Sequence, residues 1–145
     1  MSNEALNSDR ECLFAELLAA FGRRDHAVIR AAMGPDVVLV LPGSSPLAGT
    51  HRGIAEVGHF VVALRTVLQT GRNDGQIYFL HEGDQMAVRH QVSVLGPQHT
   101  AEMVLRQRFT FDGKSGKLAS ITVEPEDEGL FDYVVRSALG NAKAS

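Results

Sequence analysis

Residues 43–60 read GSSPLAGTHRGIAEVGHF, and this stretch joins two kinds of predicted secondary structure. Before it, Val37–Leu41 is a continuous aliphatic run that is typical of a buried strand. Within it, Gly43, Pro46 and Gly49 predict a turn. After the turn, apolar residues recur at helical spacing: Ile54, Val57, Phe60, Val61, Leu64 and Leu68. The chain is therefore predicted to pass from a buried strand through a turn into an amphipathic helix.

Apolar residues recur with different spacing before and after this stretch. Before it, a capping box at Ser8 starts a predicted helix that runs to Phe21, and Asp25 caps a second, short helix. After it, the period changes to two and predicts four strands: Gln76–His81, Met86–Leu95, Thr100–Phe111 and Leu118–Glu124. Gly129–Leu139 predicts a terminal helix. Helices grouped ahead of a strand meander favour an α+β fold, and 145 residues predict one domain, 1–145.

Composition narrows the classes of function. A net charge of −3 gives no electrostatic reason to expect a nucleic-acid or anionic-membrane partner. The sequence contains no run of about 18 apolar residues of the kind that spans a membrane. The single cysteine, Cys12, excludes an internal disulfide and indicates a reducing, cytoplasmic location. The six histidines show no metal-ligand spacing with Cys12 or the acidic residues, so a metal site is not expected.

Alternation along two strands predicts which side chains share a face. In Met86–Leu95, His90 lies in an otherwise apolar stripe. It is interpreted either as a core histidine or as the polar group of a pocket. In Thr100–Phe111, Gln107 interrupts the apolar stripe in the same way, whereas Arg106 and Arg108 point to the opposite face.

Two further polar residues are candidates for the same pocket. Tyr78 is one of only two tyrosines and lies between Ile77 and Phe79. Glu124 faces outward if Ile121 and Val123 face inward, but a bulge after the preceding turn would bring it inside. The inward orientation is the one predicted.

The pattern G-x-S-P-L-A-G-x-x-R-G-x-x-x-V-x-x-F in residues 43–60 resembles the SnoaL-like polyketide cyclase branch of the nuclear transport factor 2-like superfamily. The resemblance implies a cone, in which helices cover a curved antiparallel sheet around one deep pocket. It also implies acid/base chemistry on a small molecule, without metal or cofactor. Homodimers through the convex face of the sheet are a further implication, with a predicted interface drawn from Arg89, Gln91, Val104, Arg106 and Arg108.

Subfamilies of this branch differ in their site residues. The positions of the steroid isomerase acid and base groups fall on Leu17, Val40 and Gln107 here, so that chemistry is not expected. The Arg-x-Asp pair of limonene-epoxide hydrolases corresponds to Arg89 and Gln91, a partial match that leaves an epoxide hydrolase as an alternative.

Epoxide-opening, pyran-forming cyclases resemble this chain more closely. Their tyrosine, histidine and glutamate on the meander correspond to Tyr78, His90 and Glu124 in type and order, although a further tyrosine of that group has no counterpart. The resulting hypothesis is ring closure in a polyketide or terpenoid intermediate. His90 is the base, Glu124 orients it and Tyr78 donates to the developing oxyanion.

The predicted substrate is a hydrophobic small molecule held by a largely apolar wall. The predicted wall residues are Val38, Val40, Phe60, Leu64, Met86, Val88, Leu105, Gln107 and Phe109. The alternative from a different class is a binding module that uses the same pocket without catalysis.

Overall fold

A computed structural model describes residues 3–67, 76–95 and 100–144 of the chain. Four helices occur in them: α1 (Asn3–Arg23), α2 (His26–Ala31), α3 (Gly53–Val67) and α4 (Glu128–Ala144). The described strands are β1 (Met33–Leu41), β2 (Gly49–Arg52), β3 (Ile77–Glu82), β4 (Gln85–Leu95), β5 (Thr100–Phe111) and β6 (Leu118–Pro125). The predicted α+β order, with helices before a strand meander, is confirmed.

Six strands form one curved, open sheet in the order β2-β1-β6-β5-β4-β3. The meander β3–β6 is antiparallel throughout, whereas β1 pairs with β6 in parallel. The prediction of an antiparallel sheet therefore misses this one parallel pair. The first two helices and α3 cover the concave face, which we define as the face that carries His90, Gln107 and Phe109.

The ends of several elements depart from the predictions. The first helix begins at Asn3 rather than at Ser8. Residues 49–52 form β2 rather than a turn, because they pair with residues 38–41 of β1. Leu68, assigned to α3 from its spacing, lies outside the described residues.

Pro35 stands inside β1, which begins four residues ahead of the predicted strand Val37–Leu41. The β1–β6 register shifts between Met33 and Val38, so the residues between them make no paired contact with β6. A proline, which lacks an N–H, removes no ladder hydrogen bond at such a position. The bulge therefore allows the strand to begin earlier than the sequence indicated.

The faces of β1 are the reverse of the prediction. Val37, Leu39 and Leu41 are buried, whereas Val38 and Val40 are only half-buried and point to the other side. Every residue from Val37 to Leu41 is apolar, so the sequence contains no alternation from which a face can be assigned. The prediction that Val38 and Val40 line the pocket is wrong.

Candidate functional site

An apolar cavity of about 130 Å³ lies between the concave face and the helices. The first helix supplies Phe14, Leu17, Leu18 and Phe21, four residues of its apolar stripe. Further helical residues in the wall are Ile29, Phe60, Val61 and Leu64. The strands contribute Met33, Leu39, His90, Val92, Leu105, Gln107, Phe109, Leu118, Ile121 and Val123.

His90 and Gln107 are the two polar residues among the described residues of the cavity wall, and none of these wall residues is charged. His90 is only 1% exposed, although it is polar. The strict alternation of β4 and β5 predicted that both side chains face the concave side, and their positions in the wall confirm it. They belong to adjacent strands, where Gln107 pairs with Val88 and His90 with Leu105.

The imidazole of His90 packs against the first helix. The Phe14 ring meets it edge to face, with 6.0 Å between ring centroids and an interplanar angle of 90°. The same Phe14 ring packs on Phe79 at 5.7 Å and on Phe109 at 5.8 Å. Phe14 therefore holds the helix onto the sheet and restricts the plane of the His90 ring.

Five of the predicted wall residues line the cavity: Phe60, Leu64, Leu105, Gln107 and Phe109. Met86 and Val88 are fully buried on the concave face but lie outside this cavity's wall. The sequence analysis missed the wall residues of the first helix as a set, although they recur at positions i, i+3, i+4 and i+7 of that helix.

Glu124 and Tyr78 lie on the convex face of the sheet. One row of side chains crosses four strands on this face: Tyr78, Arg89, Arg106 and Glu124. Tyr78 is 54% exposed, and its hydroxyl donates to Gln76 Oε1 at 2.8 Å. Glu124 is also exposed. The sheet separates both from His90, so the predicted Tyr78–His90–Glu124 arrangement is wrong.

The predicted bulge after the Asp112–Gly116 turn exists but acts differently. The β5–β6 register shifts between the pairs Thr110–Ser120 and Phe111–Leu118. This shift brings Leu118 to the same face as Ile121 and Val123, because the extra residue lies ahead of Ile121. From Ile121 onward the alternation is regular, and Glu124 faces outward.

Arginines and acidic residues form a network on the convex face. Arg89 donates to both carboxylate oxygens of Glu126, at 2.8 and 3.2 Å, and Arg106 donates to the same carboxylate at 2.8 Å. The hydrogen bond from Arg89 is the main cause that lowers the pKa of Glu126. Since Arg89 lies here rather than in the cavity, the epoxide hydrolase arrangement is not formed.

Two other histidines lie near the cavity without lining it. His51 Nε2 lies 3.0 Å from the Leu47 carbonyl oxygen, and its ring packs on Phe60 at 4.9 Å. His81 Nε2 lies 2.7 Å from Glu11 Oε2, which ties the first helix to β3. No group of three or more His, Cys, Asp or Glu side chains that could hold a metal ion occurs in the described part of the chain.

Solved structures with the same architecture identify the fold. An NTF2-like protein from Burkholderia xenovorans LB400 matches with a TM-score of 0.71 at 22% identity, over 90% of this chain and 96% of that one. An NTF2-like protein from Burkholderia pseudomallei K96243 matches with a TM-score of 0.74 at 23% identity, over 93% and 98%. TerC, co-crystallised with polyporic acid, matches with a TM-score of 0.71 at 27% identity, over 86% and 96%.

The chain has the nuclear transport factor 2-like fold. No protein-family model matches it, and no curated protein is significantly similar to it in sequence. Within the described residues, no helix is both long and apolar enough to cross a membrane.

Proposed function

We propose that the protein is a cofactor-independent isomerase or cyclase that acts on a hydrophobic small molecule in the cavity. The observation that carries this proposal is a fully buried histidine beside a glutamine in an otherwise apolar wall. An imidazole can remove a proton from carbon or oxygen and return it elsewhere on the same molecule. Such a transfer leaves no net change in the enzyme and needs no co-reactant.

Gln107 is proposed to hold the oxygen that gains negative charge during this transfer. Its amide has two N–H donors, and a donor aimed at a developing oxyanion stabilises the transition state. Gln107 takes the role that the sequence assigned to Tyr78. The apolar wall excludes water, which strengthens every polar contact inside it.

The substrate class proposed from the sequence resemblance is a polyketide or terpenoid intermediate, and ring closure is the proposed outcome of the proton transfer. The co-crystal of TerC with polyporic acid supports small-molecule binding by a protein of this fold. It concerns TerC, so the reaction of this chain depends on the residues of its own cavity.

Proton abstraction can be tested without the natural substrate. Ketones that bind in the cavity are incubated with the protein in D₂O, and deuterium incorporation next to the carbonyl is followed by NMR. We expect His90→Gln to slow exchange by about 10²–10⁴-fold, the range for the loss of a general base. The matched control is His59→Gln, because His59 is exposed on α3 and away from the wall.

Exchange at equal rates in wild type and His90→Gln would refute the role of His90. No exchange of any ketone that demonstrably binds would favour the second candidate function, a binding module without catalysis. One observation favours that candidate: the described wall of the cavity contains no charged side chain.

We also propose that the protein is a homodimer through the convex face. This face carries both charge signs, and Leu80 is 61% exposed beside Tyr78. A two-fold interface pairs one patch with itself, so mixed charges can complement each other. Sedimentation should give a dimer for wild type and a monomer for Leu80→Asp, and a wild-type species of 15.7 kDa alone at micromolar concentration would refute the proposal.

A further inference from the structure

The volume of the cavity limits the size of a ligand. This volume is about 130 Å³. An engineered cavity of about 150 Å³ with a similar wall of Leu, Ile and Phe holds one benzene molecule. The cavity therefore has room for about one six-membered ring, and the second ring of a fused two-ring molecule lies outside this volume.

The wall also limits the charge of a ligand. The described wall residues include no charged side chain, and most of them are aliphatic or phenylalanine. An ionised group moved from water into such a site loses its hydration and finds no opposite charge, which is strongly unfavourable. The carboxylate–guanidinium network around Glu126 lies on the opposite face of the sheet.

The polar residues fix where a ligand carries its oxygen. His90 on β4 and Gln107 on β5 are diagonal neighbours. The cross-strand partner of Gln107 is Val88, which lies two residues from His90 on the same strand. Diagonal neighbours on one face of an antiparallel pair are about 7–8 Å apart, within reach of long side chains. One oxygen atom placed between the two side chains can therefore contact both an amide N–H of Gln107 and the imidazole.

We infer that the site binds an uncharged, single-ring molecule with one carbonyl or hydroxyl oxygen, such as a cyclic enone or a phenol, with that oxygen between His90 and Gln107. The ring lies against the apolar wall. This inference rests on the proposed function for the position of the site. It narrows the proposed polyketide or terpenoid substrate to a single-ring molecule.

The direct test is a binding series measured by NMR titration and thermal shift. The probes are 2-cyclohexen-1-one and phenol as expected ligands, toluene as the ring without oxygen, benzoate as the charged ring, and 2-naphthol as the two-ring phenol. We expect the enone and phenol to bind about threefold to tenfold more tightly than toluene, the range that one net hydrogen bond supplies. Benzoate and 2-naphthol should bind more weakly than toluene.

A pair of variants tests the position of the oxygen. Gln107→Leu should weaken phenol binding by about threefold to tenfold and leave toluene binding unchanged, because only phenol uses the amide. The matched control is Gln91→Leu. Gln91 belongs to the same sheet but faces the other way, where it donates to Glu102, so its replacement should change neither ligand.

Tighter binding of benzoate or 2-naphthol than of phenol would overturn the inference. An equal loss of binding affinity for phenol and for toluene in Gln107→Leu would also overturn it. Failure of the proposed function has a different signature. Enone binding without deuterium exchange would refute catalysis and leave the ligand class standing, whereas exchange confined to multi-ring ketones would support catalysis and refute the ligand class.

Discussion

Replacement of Phe14 by alanine removes the ring that joins the first helix to the sheet. Phe14 is 5% exposed and packs edge to face on Phe79, His90 and Phe109. Truncation of a buried phenylalanine costs about 3–5 kcal/mol of the free energy of unfolding. Since one side of the ring faces the cavity rather than packed atoms, we expect the lower end of this range, about 3 kcal/mol.

The loss is measurable by urea denaturation followed by circular dichroism. At roughly 2–4 °C per kcal/mol for a chain of this size, the same loss lowers the Tm by about 10 °C. Tyr133→Ala is the matched control, because Tyr133 is 57% exposed on α4 and its truncation should change the free energy of unfolding by less than about 0.5 kcal/mol. Phe14→Leu keeps most of the apolar volume and should lose about half as much as Phe14→Ala.

The same substitution has a functional consequence. Alanine at position 14 enlarges the cavity beside His90, so 2-naphthol should bind to Phe14→Ala more tightly than to wild type. If the free energy of unfolding of Phe14→Ala lies within about 1 kcal/mol of the wild-type value, the ring does not hold the helix to the sheet. The reasoning from its three ring contacts would then be wrong.

Two further predictions concern the Glu126 ion pairs and the His81–Glu11 hydrogen bond, both outside the cavity. Because Arg89 lowers the pKa of Glu126, this carboxylate contributes stability that is present above the pKa of an unfolded glutamate and is lost as the pH falls through the lower folded pKa. Glu126→Gln should therefore lower the Tm at pH 7 and reduce the acid dependence of the Tm relative to wild type. Identical pH profiles of Glu126→Gln and wild type would contradict this assignment. His81→Gln should weaken the link to Glu11 by about 1 kcal/mol and raise hydrogen–deuterium exchange near Glu11 about fivefold. Unchanged protection there, measured by mass spectrometry with α4 as the internal reference, would show that the pair does not hold the first helix.

The sequence predicted the faces of β4 and β5 because apolar residues recur there at every second position, apart from His90 and Gln107. His90 and Gln107 each stand in an apolar stripe, and Arg106 stands on the opposite side. The same argument failed for β1. In Val37–Leu41 both faces are apolar, so only the tertiary structure decides that Leu39 faces the cavity.

Glu124 illustrates a different limit. The sequence correctly indicated a bulge near the Asp112–Gly116 turn, but the position of the extra residue decides its consequence. Placed ahead of Ile121, the bulge brings Leu118 inside, which buries one more apolar side chain. A bulge after Ile121 would instead have brought a carboxylate into an apolar cavity, at a large cost in desolvation.

The sheet itself decides which chemistry this chain can perform. It places a row of exposed polar residues on the convex face and leaves the concave face with two polar side chains in the described wall of the cavity. In the proposed function, Phe14 restricts the plane of the His90 ring, and Gln107 in the same wall holds the oxygen of the ligand. Selectivity must therefore come from the shape of the ring that fits between these groups, which is why the size of the ligand and the integrity of the first helix are tested together in Phe14→Ala.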